Sequence, residues 1–437
     1  MLYGKRTTLA YGGGGDSFAE VDDDLPSEDS NLQHAVRRPQ VPLLSKFVLV
    51  LIGTLLGLAL GFVMGRPFFA NIFATHFDAF ALRGGIVQAH PHCTRVEAIR
   101  VANAFFKAGG PATTICPSNE MFNSVVRNEK SCRTIHNVLV VGGNKGYDCV
   151  GWARFIAGNR NTSISEKRWM QRLRAYLNKK GRSNITLTGS CVDTLAEGEA
   201  GHGKSNNEAY PPLAANGGVA GHVYCVEPMP INVELIRVAL NTHDAPWNVP
   251  TPRITVIPAA VSSAEGMPAS GFFKFHNDPK TPGREDVGIA KLDYQSNLPF
   301  VEVRATTVDA IVSEHLAKGQ TINVLTVDTE GNDPNVLLGA SKTLAKGTID
   351  YIQFEVHDHG AWATTTVKSV VDYLETFDYD CFWVTDAKEH VAYLVSGSCW
   401  DARYDAHKEW SNMVCARRET CWHRSLMDQF ERWAVSR

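Results

Sequence analysis

Ile322–Ala340 reads INVLTVDTEGNDPNVLLGA, and this stretch decides the fold. Val324, Leu325 and Val327 form a short apolar run rich in β-branched residues, the mark of a strand buried on both faces. Asp328 ends it, and a turn with Glu330 and Gly331 follows. Pro334 suits the first turn of a helix, where its missing N–H costs nothing, and Asp333 before it is the expected N-cap. Asp328 and Glu330 then stand at the carboxyl edge of a central strand, the edge where open α/β sheets place their chemistry. The plainer reading gives both acids only a bracing role in the turn, and this stretch alone does not separate the two.

The chain has 437 residues, 44% hydrophobic and 20% charged, with a net charge of −3. That describes a globular protein of two or three ordinary domains, or one large α/β domain with appendages. No basic excess points to nucleic acid as a partner. Residues 1–46 carry GGGG at 12–15 and an acidic run from Asp16 to Asp29 without apolar periodicity, and are expected to be a disordered cytosolic tail.

Phe47–Met64, FVLVLIGTLLGLALGFVM, is eighteen residues without a charge. A bilayer needs roughly 17–25 residues, so 47–65 reads as a transmembrane segment. It lies too far from Met1, and runs too long, for a cleaved signal peptide. Arg37, Arg38 and Lys46 precede it and Arg66 follows, which predicts a single-pass type II signal anchor with a lumenal C-terminal part. A short span suits a thin early-secretory membrane, so the Golgi membrane is expected, with the endoplasmic reticulum second. Gly53, Gly57, Gly61 and Gly65 form a small-xxx-small stripe that either pairs two anchors in a homodimer or reflects the frequency of glycine in such helices. Asn161-Thr-Ser and Asn184-Ile-Thr are glycosylation acceptor patterns, and all ten cysteines follow the anchor, where disulfides persist. Cys399 with Cys415 is the expected bridge and Cys93 with Cys116 a poorer one. Cys225, within an apolar strand, is expected as a buried thiol.

Residues 66–136 read as a stem and helical subdomain. VEAIRVANAFFKAGG, from Val96, has helical spacing and stops at Gly109-Gly110. His90 and His92 lack further ligands at metal-binding spacing and read as loop residues. An α/β pattern starts with NVLVVGGNKGYDCVGWARF at Asn137. Its strand, Val138–Val141, runs into Gly142, Gly143, Asn144, Lys145 and Gly146 and then a helix. Glycines there let a cofactor approach the backbone while the chain turns out of the sheet. Dinucleotide and S-adenosylmethionine folds share this feature, but the spacing is not GxGxxG, which counts against a dehydrogenase.

The second strand, in GHVYCVEPMP from Gly221, ends in Glu227-Pro228, and a helix follows over 232–240. A carboxylate ending this strand can accept from both hydroxyls of a ribose. ITVIPAAVSSAEG, from Ile254, ends in a small-residue loop at Ala260-Val261-Ser262 that either lies against an adenine ring or packs in the core. FFKFHNDPK and FVEVRATTVD predict an extra hairpin, with Lys280–Asp286 a candidate lid. In YIQFEVHDHG, Glu355 and His357 face the same way at the carboxyl end of the fifth strand. VKSVVDYLETF is a helix, and DCFWVTD with EHVAYLV forms the final hairpin. Residues 399–437 are expected to be a C-terminal disulfide loop and a helix through Trp422 and Phe430.

Strand-GGNKG, VEP, AAVSSAEG, Thr307-Val-Asp, VDTEGNDPNVLLGA and FEVH, in this order, resemble the FkbM-type S-adenosylmethionine-dependent methyltransferases over roughly Asn137–Val395. The resemblance implies an α/β fold over 137–398: the class I methyltransferase (Rossmann-like) sheet, seven-stranded and mostly parallel, with a C-terminal antiparallel hairpin. It also implies S-adenosyl-L-methionine as cofactor and methyl transfer to an oxygen, commonly on a sugar. Carried over, Gly142, Gly143, Asn144 and Gly146 line the methionine end, Glu227 holds the ribose, and Ala260 and Val261 border the adenine. Asp328 and Glu330 face the transfer site.

Two departures stand out. Such enzymes usually carry an acid two residues before the first glycine, where this chain has Val140. Gly146 and Glu227 lie 81 positions apart, against about 20 in a plain mononucleotide unit, so an insertion occupies 158–220. Within it, KRWMQRLRAYLNKKGR (Lys167–Arg182) puts Trp169, Leu173, Tyr176 and Leu177 on one helical face. Its basic face is either simply solvated or a hold for an anionic glycan. GEAGHGKSNNEAYPPLAANGG reads as a loop.

Methyl transfer is an in-line displacement in which alignment alone supplies roughly 7–11 kcal/mol, and a sugar hydroxyl gains further from a base. Asp328 or His357 is expected to accept the proton while Glu330 and Glu355 grip neighbouring hydroxyls of a glycan or glycoconjugate acceptor. The acids as ligands of Mg²⁺ or Mn²⁺ are the alternative; the reading assigns no metal. The rival from another class is an inactive methyltransferase-fold glycan-binding or scaffold protein of the Golgi membrane, favoured by Val140.

Overall fold

The computed structural model describes residues 93–112, 115, 135, 137–156, 166–182, 184–187, 221–241, 253–278, 280–284, 288–289, 297–385, 391–408 and 410–435. The tail, the anchor stretch 47–65, His90, His92, Cys116 and Asn161 lie outside them. Among the described residues no helix is long and apolar enough to cross a membrane.

Helix α1 (Arg95–Lys107) opens with a capping box, Thr94 and Glu97 exchanging side-chain and backbone hydrogen bonds. Strand β1 (Asn137–Val141), α2 (Tyr147–Ile156) and α3 (Glu166–Lys179) follow. Next come β2 (His222–Glu227), α4 (Pro230–Asn241), β3 (Arg253–Pro258), β4 (Ala260–Val261), β5 (Phe272–His276) and β6 (Phe300–Thr306). The chain continues with α5 (Val308–His315), β7 (Val324–Val327), α6 (Asp333–Leu338), α7 (Ser341–Ala345) and β8 (Tyr351–Val356). It closes with α8 (Val367–Glu375), β9 (Tyr379–Val384), β10 (Ala392–Leu394), β11 (Ser411–Arg417) and α9 (Cys421–Val435).

The main sheet has eight strands in the order β10-β9-β11-β8-β7-β1-β2-β3. Strands β3, β2, β1, β7 and β8 are mutually parallel. Strand β11 runs antiparallel to both β8 and β9, and β10 antiparallel to β9. The sheet is therefore mixed and eight-stranded, a correction to the expected seven-stranded, mostly parallel one. The β9–β10 hairpin forms as expected, but SNMVCAR at 411–417, read as part of a disulfide loop, enters the sheet as β11. Its sequence lacks a hairpin partner nearby, because β11 pairs with β8 from 55 to 65 residues upstream; Asn412 lies opposite Glu355 and Ala416 opposite Tyr351.

β1 and β7 are buried along their whole length, as their continuous apolar runs require. Val141 lies opposite both Val226 and Val327, so Gly142, Glu227 and Asp328 step out of the sheet side by side. Asp333 is not the N-cap of α6; Asn332 holds that position without a capping side-chain bond. The Asp333 carboxylate is fully buried instead, accepting from Thr329 Oγ1 at 3.1 Å and the Glu355 backbone N–H at 3.4 Å. Gly339 of the LLGA run is where a Cβ would meet Ser262 O at 2.2 Å, so only glycine lets α6 close on the loop after β4. Asp309 accepts from Thr343 N, Thr343 Oγ1 and Lys342 N at 2.6–3.0 Å, clamping α7 to α5.

The described part of the segment set apart as a subdomain packs into the main core. Phe105 of α1 stacks on Trp383, with centroids 6.1 Å apart, and meets Tyr393 and Tyr404 edge-on. Cys93 is bonded to Cys399 and Cys381 to Cys415, which corrects both expected pairings. Sequence proximity gives no guide there, since Cys381 and Cys415 are register partners on β9 and β11. Cys225 is not a thiol: it bridges β2 to Cys149 in α2. Helix α3 docks through Trp169, Leu173 and Leu177, all buried, with Tyr176 half-buried. β5 and β6 form the expected hairpin but belong to a separate three-stranded sheet, β4-β6-β5.

Candidate active site

A cavity of about 450 Å³ opens at the carboxyl ends of β1, β2, β7 and β8, a size ordinary for small-molecule sites. Gly142, Gly143 and Asn144 line one side, Glu227 the adjoining edge, and Ala260 and Val261 a further wall. Asp328, Glu330, Glu355 and His357 line it as well, Asp328 beside the Gly142 turn. Gly146, the remaining candidate, packs against Trp169 and Ile236. At Gly142, φ is +91° and a Cβ would stand 1.6 Å from Asp328 O. That glycine is demanded by the neighbouring strand end as much as by any ligand.

Asn144, itself in the left-handed region at φ +46°, donates its backbone N–H to Glu227 Oε2 at 2.7 Å. Met229 N and Asn232 Nδ2 donate to Glu227 Oε1 at 2.9 and 3.1 Å. Burial pushes the Glu227 carboxyl up to about 7, against the pull of these donors. A carboxylate has about four acceptor positions, so three donors leave one facing the cavity. Asn232 Oδ1 is buried and lacks a hydrogen-bond partner among the described residues. Together they offer two acceptors to a vicinal diol. Asn232 was not picked out in the sequence; its signal is its place in the first turn of the helix that follows Glu227.

Asp328 is exposed to the cavity. Its enclosure by protein, then the charges of Glu355 and Glu330, raise its carboxyl well above the usual range. Burial, followed by Asp333 and Glu330, raises Glu355, and burial and Asp328 raise Asp333. His357 Nε2 lies 2.9 Å from Glu355 Oε2 and 3.9 Å from Glu330 Oε2. The arrangement can hold a cationic or hydroxyl-bearing group and take a proton from it.

Other lining residues carry no local sequence signal. Val140 lies on the wall where an acid was expected, and Asp148, from the first turn of α2, lines the same cavity and reaches Asp328 electrostatically. Gln353, Trp410 and Asn412 reach it from β8 and from β11 and the residue before it, and Ile115 from the segment after α1. Arg284, within the candidate lid, lines it too; residues 285–287 lie outside the described set.

Residues 199–381, less than half of the chain, match the family model of the methyltransferase FkbM domain. That segment is thus similar to a methyltransferase domain. Comparison with curated proteins gives no match. Among solved structures the chain is similar to a methyltransferase FkbM from Methylobacillus flagellatus KT, at 10% identity and a TM-score of 0.28, covering 74% of this chain and 60% of that one. The chain thus spans less than two thirds of that protein's length. It is also similar to an O-methyltransferase from Bacillus cereus in complex with SAH, at 10% identity and a TM-score of 0.26, covering 78% of this chain and 98% of that one.

Proposed function

We propose that this chain is an O-methyltransferase that acts on a sugar hydroxyl of a glycan or glycoconjugate in the secretory lumen. The observation that carries the reading is the shared cavity, lined both by a ribose-type acceptor pair, Glu227 and Asn232, and by an acid–histidine cluster. Bound S-adenosylmethionine supplies an electrophilic methyl group on a sulfonium. The chain's own residues do the rest. Glu227 and Asn232 Oδ1 take the ribose hydroxyls, and Ala260 and Val261 border the base. Asp148 takes the place of the acid missing at Val140 and holds the ammonium. Gly142 and Gly143 bring the backbone close to the methionine end.

Asp328 accepts the proton of the acceptor hydroxyl as the oxygen–carbon bond forms. Burial, and then the charges of Glu355 and Glu330, hold its basicity above that of an ordinary carboxylate, which suits a general base. Glu330 and His357, beside Asp328 in the same cavity, set which acceptor oxygen faces the methyl group.

The compartment is proposed on two grounds. The uncharged stretch 47–65 fits a single-pass type II anchor of the Golgi membrane. The disulfides Cys93–Cys399, Cys149–Cys225 and Cys381–Cys415 suit an oxidising lumen. An inactive methyltransferase-fold glycan-binding or scaffold protein is the second reading, and Val140 on the cavity wall favours it. Incubating the full chain with methyl-labelled S-adenosylmethionine and a panel of Golgi glycans decides between them. Label on a sugar oxygen supports the enzyme; a folded chain that binds no S-adenosylmethionine in calorimetry supports the scaffold.

A further inference from the structure

Glu330, His357 and His359 bring one carboxylate oxygen and two imidazole nitrogens within 4.8 Å of one another, and Asp328, Glu330 and Glu355 do the same with three carboxylates. Both groups share Glu330. We propose that Glu330, His357 and His359 bind one first-row divalent cation of the manganese, iron(II) or zinc class, beside Glu355 at the acceptor end of the cavity.

The spacing is that of ligands rather than of packed neighbours. Atoms held about 2.1 Å from such an ion stand about 3 Å apart at adjacent positions of an octahedron and about 4 Å apart at opposite ones. His357 Nε2 is 3.9 Å from Glu330 Oε2, and the His359 ligand atom lies within 4.8 Å of both. The two imidazole rings lie 4.3 Å apart and tilted by 47°.

The tautomer of His359 points the same way. Its Nδ1 is 3.1 Å from Asp358 Oδ1, and an imidazole donating through Nδ1 to that carboxylate presents its Nε2 lone pair to an ion. A carboxylate behind the distal nitrogen is the usual orienting partner of a metal-bound imidazole. His359 Nε2 is buried and makes no hydrogen bond among the described residues. Glu355, 2% exposed, likewise leaves Oε2 without a hydrogen bond among them. A His357–Glu355 ion pair alone would account for one contact; it gives no role to His359 Nε2 or to the Asp358 bond behind it.

The donor set selects the ion class. Mg²⁺ and Ca²⁺ take oxygen ligands, whereas two imidazoles with a carboxylate suit first-row transition metals and zinc. Glu330 is held in the left-handed region, at φ +53°, a conformation non-glycine residues adopt at a cost. That turn brings its carboxylate toward the two histidines that follow β8. Open positions on the ion would face the cavity and take acceptor oxygens. This role toward the acceptor rests on the function proposed above; the binding of the ion does not.

The test uses the purified full chain after chelation, titrated with Mn²⁺ alone and with Zn²⁺ alone, read by calorimetry and, for Mn²⁺, by paramagnetic resonance. S-adenosylmethionine affinity and circular dichroism are measured on the same samples. The expected result is one equivalent of ion in the wild type. His359→Ala loses it, and Asp358→Asn binds it about 10–100-fold more weakly, with cofactor affinity kept in both. If His359→Ala misfolds, Asp358→Asn alone carries the comparison. A folded wild type that takes up neither ion, or folded variants that bind like the wild type, overturns the ion site. Such failure with normal cofactor binding leaves the methyltransferase reading intact, while ion uptake without cofactor binding upholds the site and undermines that reading.

Discussion

The backbone N–H of Asn144 donates to Glu227 Oε2 across 2.7 Å, so the turn leaving β1 is held by the acid that ends β2. The cofactor half of the cavity depends on this bond, because Glu227 also gathers Met229 N and Asn232 Nδ2. Glu227→Ala strands three donors, at least two of them in buried surroundings. An unsatisfied buried donor costs roughly 1–3 kcal/mol, so urea unfolding should register a loss of several kcal/mol. Calorimetry on the folded fraction should find S-adenosylmethionine bound at least about tenfold more weakly, the equivalent of about 1.4 kcal/mol.

The acids predict an uncommon pH dependence. A carboxyl with its folded pKa raised binds more protons in the native state than in the unfolded one, so its effect is to lower stability as pH rises. For Glu227 the window runs from its unfolded value of 4.5 to about 7, and the loss is complete above it, about 3 kcal/mol in all. Asp328, Asp333 and Glu355 shift in the same direction. Thermal unfolding of the ligand-free chain should therefore occur at a higher temperature at pH 5 than at pH 8. Glu227→Gln should flatten this slope; an unchanged slope would remove Glu227 from the account.

Asp309 belongs to a block shared with the resembling family, yet its carboxylate only caps α7, accepting from Lys342 N, Thr343 N and Thr343 Oγ1. Asp309→Ala should cost roughly 1–3 kcal/mol in chemical denaturation. Methyl transfer per folded molecule should be unchanged.

Steric demand predicts the outcome at the glycine turn. A Cβ on Gly143 would sit 2.5 Å from Cys225 Sγ, and the Cys149–Cys225 bridge cannot yield freely. Gly143→Ala should destabilise the chain by roughly 1–3 kcal/mol. The same change after Cys149→Ala and Cys225→Ala together should cost less, a coupling that a double-mutant cycle reads directly.

What the sequence disclosed was local. The strand–turn–helix of Val324–Leu338 and the acid at Glu227 are written in short patterns of apolar residues and turn formers. So are the amphipathic helix around Trp169 and the capped helix after Thr94. What it withheld needed the topology. Asp333 satisfies the local rule for an N-cap, but a buried bond from the Glu355 N–H outcompetes that role. Cys381 and Cys415 pair because β9 and β11 are adjacent, which no spacing rule reveals. Asn412, Trp410 and Asp148 reach the cavity only once three distant segments meet at one sheet edge. His359 carries no signal of its own in the sequence; the turn through Glu330 and Gly331 brings it beside the site.

The rate of methyl transfer by Asp328→Asn, set beside its cofactor affinity, tests the central claim most directly. The substitution keeps the shape and removes the base, so kcat for a glycan acceptor should fall by about 10²–10⁴ while S-adenosylmethionine binds as to the wild type. Transfer at the wild-type rate by a folded, cofactor-saturated Asp328→Asn chain would contradict it.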